Sequence, residues 1–372
     1  MKKILLIPAL ALIYIIETTL VLSIVLLYYY LLPISSETKV FYVPDTSTKS
    51  TIKTLKKNDY KLSWIDELLI KEIPPLEKGW YSVENSTHRV DFFNSLHSKK
   101  TKTMEIVVFA GETKQELIKR LANDLKLDKE KLLKRYNVLS RYKEGEIIAQ
   151  RYTVARNAKE KSIITYLFNI SHGIMRNFKT NSHTQQDILT IASIIQKESN
   201  SIDEMAIISS VIHNRLDKNM KLQMDSTLNH GEFSHKVVTP ERIKNDNSKY
   251  NTYKYRGLPP TPLSSVTRDA LVAAVTPVES DYIFFMLKPN GDHTFAVTYD
   301  EHLKNIRSFR RYQKLKKAPV VHTVKNVKLE NKPLVLNSKI EELKPLNTFM
   351  GEYEYSDLFK KVDLTMEPKY HF

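Results

Sequence analysis

Glu198 ends an apolar helical segment and is the carboxylate whose position is best suited to proton transfer. At about 100° per residue, Ile188, Ile191 and Ile195 share one helix stripe, and Glu198 falls at its edge. Burial disfavours the charged form of a carboxyl group, so this position predicts a raised pKa. Such a group can act as a general acid near neutral pH. A Glu that pairs with a cation at a helix end would show the same pattern, which leaves both interpretations open.

Residues 181–316 contain the elements that must position Glu198. N-cap residues divide this region into helices, because Ser and Thr hydroxyls accept hydrogen bonds from the first turn. The clearest turn is Pro289–Asp292 between apolar segments at 281–288 and 293–297, which predicts a β-hairpin. The expected helix starts are Thr184 with Asp187, Ser201 with Glu204 as a capping box, Thr239 with Pro240, and Thr298 with Glu301.

A weak internal repeat precedes this region. Residues 42–55 and 108–121 share a short strand, a tight turn, a Ser or Thr N-cap and an apolar helix face. In the second copy we expect a strand at 104–109, helices at 114–125 and 128–136, and a returning strand at 147–152. Between the copies we expect a strand at 79–83 and a helix at 89–96. The β-α-α-β order resembles a LysM module, and that resemblance implies binding of glycans that contain N-acetylglucosamine.

The chain begins with an apolar segment of 29 residues, from Ile4 to Leu32. A signal-peptide core has about 7–15 residues and a spanning helix about 20, so the length predicts an uncleaved anchor. Lys2 and Lys3 before the segment, against Lys39 after it, favour a cytoplasmic amino terminus. Glu17 lies near the middle of the span, where we expect a protonated carboxyl group.

Composition excludes several classes of chemistry. The 372 residues include no cysteine, which removes disulfides, Cys-ligated zinc, iron–sulfur clusters and a thiol nucleophile. The eight glycines are too widely spaced for a dinucleotide fingerprint or a P-loop, and no metal-binding motif is present, so we expect neither cofactor nor metal. Lys and Arg number 57 against 42 acidic residues but are scattered, which argues against a nucleic-acid partner. A diffuse positive field suits anionic lipid headgroups or an acidic polymer.

Eight short motifs follow one another in order between residues 189 and 295. They are Leu189–Ser199, Asn214–Leu216, Met220–Thr227, Tyr250–Tyr253, Gly257–Pro262, Ala274 with Pro277, Tyr282–Phe285 and Gly291–Phe295. This ordered series resembles the YceG-like endolytic murein transglycosylase family over residues 35–312. The resemblance implies an α+β protein with one N-terminal transmembrane helix, LysM-like modules and a mixed catalytic domain that contains a β-hairpin. We therefore expect an anchor at 1–35, a LysM-like region at 36–155, a catalytic domain at 156–316 and an extension of unassigned role at 317–372.

The resemblance also implies site residues. The essential acid of the family is the second Glu of a Glu-Lys-Glu segment, which is Gln196-Lys197-Glu198 here, so Glu198 is the catalytic residue expected. The family favours Thr and Pro at two positions where this sequence has Met224 and Ser226. The resemblance therefore does not fix the shape of this loop. The residues expected to line the substrate groove are Gln223, Asp225, Asn251, Tyr253 and His293.

The function implied is endolytic cleavage of the β-1,4 bond after N-acetylmuramic acid in nascent peptidoglycan, which ends strand elongation. Expected partners are peptidoglycan strands, lipid of the bacterial inner membrane and peptidoglycan synthases of the penicillin-binding class. Two alternatives stay open. One is a muramidase that pairs Glu198 with Asp225 or Glu301. The other is a non-catalytic, membrane-tethered scaffold that binds glycans.

Overall fold

A computed structural model describes residues 2–83, 88–96 and 100–317, and from Ala318 onward the expected extension lies outside them. The chain divides into two compact regions between residues 306 and 307. All elements below lie in the first region, except the last turns of the final helix. Two-stranded sheets alternate with helices along the chain, which makes the protein α+β.

The first helix, α1 (Lys2–Leu31), contains a stretch at Leu10–Leu31 that is long and apolar enough to cross a membrane. None of that stretch is buried against the rest of the protein. Its far end is tied to the segments that follow, because the Tyr29 hydroxyl donates a hydrogen bond of 2.8 Å to the buried carboxylate of Asp66. Arg89 donates to the same carboxylate over 3.1 Å.

The first β-α-α-β unit consists of β1 (Val40–Val43), α2 (Thr48–Lys57), α3 (Trp64–Glu72) and β2 (Gly79–Ser82), followed by α4 (Arg89–Leu96). The strands are antiparallel, with Val40 opposite Ser82 and Val43 opposite Gly79. Side chains alternate across a strand, so this sheet serves two cores. Phe41 and Tyr81 pack into the core of the first unit, whereas Val40 and Trp80 face the next one.

The second unit consists of β3 (Thr103–Val107), α5 (Lys114–Leu125), α6 (Lys129–Leu139) and β4 (Arg151–Ala155). The expectation of a returning strand at 147–152 was wrong in its start, because β4 begins at Arg151 and pairs as far as Ala155 opposite Thr103. Residues before it pair elsewhere: the Ala149 N–H donates to the Val266 carbonyl over 2.8 Å. Helix α7 (Glu160–Met175), which the sequence analysis did not predict, packs into the same core, so that core extends across residue 155.

The remaining elements surround α8 (Gln185–Glu198) and α9 (Ile202–Asp217). Two short 3₁₀ turns follow at Asp225–Leu228 and Gly231–Phe233. Helix α8 packs against α9 and against the helix that begins at Arg268, and their buried faces form the third core. The later elements are α10 (Pro240–Asn245), α11 (Arg268–Val275), β5 (Phe284–Leu287), β6 (His293–Ala296) and α12 (Tyr299–Lys317). The strands β5 and β6 form the expected hairpin around Pro289–Asp292.

Candidate active site

Helix α8 carries Glu198 at its last position. The Thr184 hydroxyl accepts from the Asp187 N–H while the Asp187 carboxylate accepts from the Thr184 N–H, so a capping box forms at the expected helix start. Ile191 and Ile195 are fully buried, which fixes the rotation of the helix about its axis. Glu198 is therefore held half-buried where the helix leaves the core.

Burial raises the pKa of the Glu198 carboxyl group, as the helix geometry predicts. Hydrogen bonding from Ser226 opposes this effect, and the Ser226 N–H lies 3.0 Å from Glu198 Oε1. The charge of Asp225 raises the same pKa further, whereas His293 lowers it. The carboxyl group thus accepts a hydrogen bond from the Ser226 N–H, and its pKa is raised, which is the direction that a general acid requires.

The loop that approaches Glu198 is held in an unusual backbone conformation. Gln223 has φ of +48°, in the left-handed region that few non-glycine residues adopt. Two hydrogen bonds fix the strained segment: the Gln223 N–H donates to the Thr252 carbonyl over 3.2 Å, and the Met224 N–H donates to Thr252 Oγ1 over 3.1 Å. These bonds place the Ser226 N–H against Glu198, while the Gln223 side chain is exposed.

Asp225 and Tyr253 are brought together beside Glu198. The Tyr253 hydroxyl donates to Asp225 Oδ1 over 2.7 Å. Burial and then the Asp225 carboxylate raise the pKa of Tyr253, which therefore stays protonated as a donor. Asp225 is exposed and acts as the acceptor, so the pair can offer both a ring face and a carboxylate to a ligand.

Asn251 lies in the interior of the protein, unlike the exposed Gln223 and Asp225. Its side chain is fully buried, and its amide donates to the carbonyls of Ile243 and Asp246, each over 2.8 Å. Its carbonyl oxygen accepts from the Tyr253 N–H over 3.1 Å. With these bonds made, Asn251 holds the loop that carries Tyr253.

His293 begins β6 and binds Glu204 through two hydrogen bonds. The carboxylate accepts from the His293 N–H over 2.6 Å and lies 2.9 Å from its ring Nδ1. Burial alone would raise the pKa of Glu204, but the bonds from His293 leave it below its ordinary value. The predicted capping box of Ser201 with Glu204 was wrong, because Ser201 makes no side-chain cap and Glu204 turns to the hairpin instead.

The sequence profile of the YceG-like family matches residues 41–308. The chain belongs to the YceG-like family. A Bacillus subtilis (strain 168) protein named endolytic murein transglycosylase is 36% identical over 126 residues, which cover 34% of this chain and 35% of that one. A Streptococcus pneumoniae (strain D39) protein of the same name is 27% identical over 179 residues, 45% of this chain and 32% of that one. The chain thus spans about a third of the length of these relatives.

A crystal structure of a YceG-like protein from Listeria monocytogenes is also similar. It is 25% identical and has a TM-score of 0.49, with 73% of this chain and 99% of that chain covered.

Within this YceG-like chain, Gln196 has a structural partner. Its Oε1 accepts from the Thr267 N–H over 3.0 Å and from Thr267 Oγ1 over 2.8 Å. Thr267 is the N-cap of α11, so these bonds attach the end of α8 to α11. A Glu at position 196 could accept the same two bonds.

Arg215 is a site residue that the sequence analysis missed. It is 6% exposed on α9 and donates to the Ile283 carbonyl over 2.7 Å and to the Leu222 carbonyl. Burial lowers the pKa of its guanidinium, while the nearby Tyr253 and Glu198 oppose that effect. Its position four residues after Val211, on the buried face of α9, was the signal available in the sequence.

Glu301 was the second residue predicted as a possible carboxylate partner of Glu198. The Glu301 carboxylate accepts from the N–H groups of Val297 and Thr298 over 3.0 and 3.2 Å, and these bonds lower its pKa. The Glu301 carboxylate thus caps the start of α12.

Among the residues that the structure describes, no group of three or more His, Cys, Asp or Glu side chains is arranged to hold a metal ion.

Proposed function

We propose that this protein is an endolytic murein transglycosylase. The observation that carries the proposal is Glu198: a half-buried carboxyl group at the end of an apolar helix, with a pKa raised by burial and a backbone donor on one oxygen. The family membership and the names of the two relatives support the same reaction.

In this mechanism the Glu198 carboxyl group acts first as a general acid and then as a general base. Protonated Glu198 first gives its proton to the glycosidic oxygen between N-acetylmuramic acid and N-acetylglucosamine, and the C1–O bond breaks. The Glu198 carboxylate then takes the proton of the muramyl C6 hydroxyl, whose oxygen bonds to C1. The product is a 1,6-anhydro ring, Glu198 is protonated again, and no water is consumed.

The neighbouring residues hold the sugar. Gln223 and Asp225 present exposed polar groups beside Glu198, Tyr253 presents a ring and a hydroxyl, and His293 flanks the site from the hairpin. Asn251 acts indirectly, because it positions the Tyr253 loop. In the same proposal, the β-α-α-β units are LysM-like and bind the glycan strand away from the cut.

The helix α1 anchors the protein in the bacterial inner membrane, with the amino terminus in the cytoplasm and the site outside. Nascent strands are made at this surface. Membrane lipid and penicillin-binding synthases are therefore the neighbours that the proposal gives this protein.

The test is digestion of isolated peptidoglycan by the full chain in detergent, with released fragments analysed by mass spectrometry. We expect fragments that end in 1,6-anhydromuramic acid, one water molecule lighter than hydrolysed ends. Glu198→Gln should lower their yield by about 10²-fold or more with unchanged circular dichroism. Glu67→Gln, at a half-buried carboxylate of α3 that pairs with Lys56, is the matched control and should keep full activity. Retained cleavage in Glu198→Gln would reject the assignment, and binding without cleavage by the unaltered protein would favour the glycan-binding scaffold.

Asp225 favours one second candidate, a muramidase. Its charge acts on Glu198 and raises the pKa of that carboxyl group, as expected for two carboxylates that share a site. A muramidase would use Asp225 to activate water and would release reducing ends. Reducing ends that disappear in Asp225→Asn would establish this alternative, whereas anhydro ends in both proteins would exclude it.

A further inference from the structure

A basic cleft lies at the opposite end of α8 from Glu198. It has a volume of about 770 Å³ and is lined by α2, the end of α7 and the start of α8. Its walls carry five cationic side chains, whereas Asp45 is the one carboxylate on them. The five are Lys49, Lys53, Lys57, Arg141 and Arg176.

Three of these cations are stacked on one face of α2. Lys49, Lys53 and Lys57 follow one another at i, i+4 and i+8, which places like charges side by side and destabilises a helix. Burial lowers the pKa of Lys57, and the charges of Arg135 and Lys53 lower it further. The fourth lysine of the helix, Lys56, points elsewhere and pairs with Glu67.

Within the described part of the chain, the five cations of the cleft have no carboxylate partner. Lys57 donates to the amide oxygen of Asn169 over 3.2 Å, which supplies no charge. Over residues 2–83, 88–96 and 100–317, no ion pair joins any of the five to a carboxylate. A surface that concentrates positive charge at a cost to its own helix is suited to a ligand that brings the missing negative charge.

The shape of the cleft and the polar groups that line it indicate which class of ligand it can bind. Ser47 and Gln185 line the cleft at the first turns of α2 and α8, where the positive ends of both helices add to the lysine field. Lysine acts as a compact point charge that suits phosphate. The cleft is concave, and Pro44 is the one apolar side chain among its described lining residues, so it fits a chain that enters it better than a flat bilayer.

We propose that this cleft binds a linear phosphate-bearing anion, such as a phosphodiester or polyphosphate chain. Helix α8 connects it to the catalytic carboxyl group, because Gln185 and Glu198 are its first and last residues. At 1.5 Å per residue the two ends are about 20 Å apart. The cleft is thus a separate site, and binding there does not require the proposed transglycosylase activity.

The test is calorimetric titration of the full chain, in zwitterionic detergent at low salt, with inorganic tripolyphosphate. We expect binding that weakens as salt is raised. The double variant Lys53→Gln/Arg176→Gln should lose about tenfold or more in affinity, since two charged contacts are removed. The matched control Lys56→Gln lies on the same helix outside the cleft and should bind like the unaltered protein. Glu198→Gln should also bind normally, which separates this site from the reaction.

Stability provides a second readout. Removing one of three stacked lysines should leave the unfolding temperature of Lys53→Gln unchanged or higher. If the double variant does not fold, the single variant Lys49→Gln takes its place in the titration. The proposal is overturned if tripolyphosphate does not bind, or if Lys56→Gln weakens binding as much as Lys53→Gln. It is also overturned if the cleft lysines matter only for vesicles of phosphatidylglycerol, since that result would indicate a flat membrane contact.

Discussion

The two β-α-α-β units have the same order of elements but different attachments. In the first unit, the buried Asp66 binds Tyr29 and Arg89 and so connects α3 to the end of the apolar helix. In the second unit, backbone bonds run to the segment before α11: the Gly111 N–H donates to the Ser265 carbonyl, and the Ser265 N–H donates to the Glu112 carbonyl. The first unit is thus joined to the apolar helix α1 by a buried charge, and the second to the segment before α11 by backbone hydrogen bonds.

This difference shows that the surroundings, rather than the shared pattern, decide what each unit does. Ser47 and Thr113 cap equivalent helices in the two copies, yet Ser47 is exposed and Thr113 is fully buried. The first sheet packs on both faces, through Phe41 on one side and Trp80 on the other, so the copies are also in contact. We therefore expect a substitution in either unit to weaken the attachment that this unit makes.

The largest effect is expected from Asp66→Asn. The substitution removes the charge that faces Arg89 while it keeps the shape of the side chain, and breaking a buried pair costs about 3–5 kcal/mol. We expect urea unfolding, followed by the fluorescence of Trp64 and Trp80, to shift by that amount. Both tryptophans of the chain lie in the first unit. The neighbouring substitution Glu67→Gln, at a half-buried carboxylate that pairs with Lys56, should cost about 0–1 kcal/mol. Equal shifts for the two variants would mean that the buried pair does not hold this attachment.

A smaller effect is expected from Gly145→Ala in the second unit. Gly145 has φ of +73°, and an added Cβ would lie 2.6 Å from the Pro262 Cβ and 2.8 Å from the Ser264 carbonyl oxygen. Backbone strain and overpacking together should cost about 2–4 kcal/mol, and peptidoglycan cleavage should fall with them.

Gly111→Ala is the control for this variant, because its φ of +78° is similar and no atom lies within 4 Å of the added Cβ. It should cost about 1–2 kcal/mol. If Gly145→Ala keeps full cleavage activity, the second unit does not position the catalytic segment as we describe.

The smallest effect is a pH dependence that belongs to the second unit. Burial raises the pKa of Glu144 from 4.5 to about 7, against hydrogen bonds from the N–H groups of Lys114 and Gly145. Because the folded state holds the proton more tightly, this contribution to stability is complete below pH 4.5 and is lost as the pH rises through about 7. The loss is at most about 3 kcal/mol.

Glu144→Gln should flatten this part of the stability profile, measured by urea unfolding from pH 4 to 8. The exposed Glu105→Gln, on β3 of the same unit, should leave the profile unchanged. A profile that keeps its slope in Glu144→Gln would assign the pH dependence to another group.

Much of the local structure could be predicted from the sequence because it depends on neighbours along the chain. The helix at 114–125 lies within the predicted bounds, since its cap and its apolar stripe are both local. The start of the strand predicted at 147–152 could not be placed, because the partner of Ala149 is Val266, which is distant along the chain. The pKa direction of Glu198 was predictable for the same local reason: a helix that buries Ile191 and Ile195 must partly bury Glu198.

The sequence by itself determined the long apolar helix at the amino terminus, the capped helices, the hairpin turn and the carboxyl group at the end of α8. Only the tertiary structure decided how that carboxyl group is surrounded. Glu204 could have capped its own helix, but His293, 89 residues away, offers it two donors. Asp225 and Tyr253 meet only because Thr252 holds the left-handed Gln223 loop in place. In each case a side chain could form a hydrogen bond to a neighbour along the chain. It bonds to a distant residue instead, because the folded core brings that residue within hydrogen-bond distance.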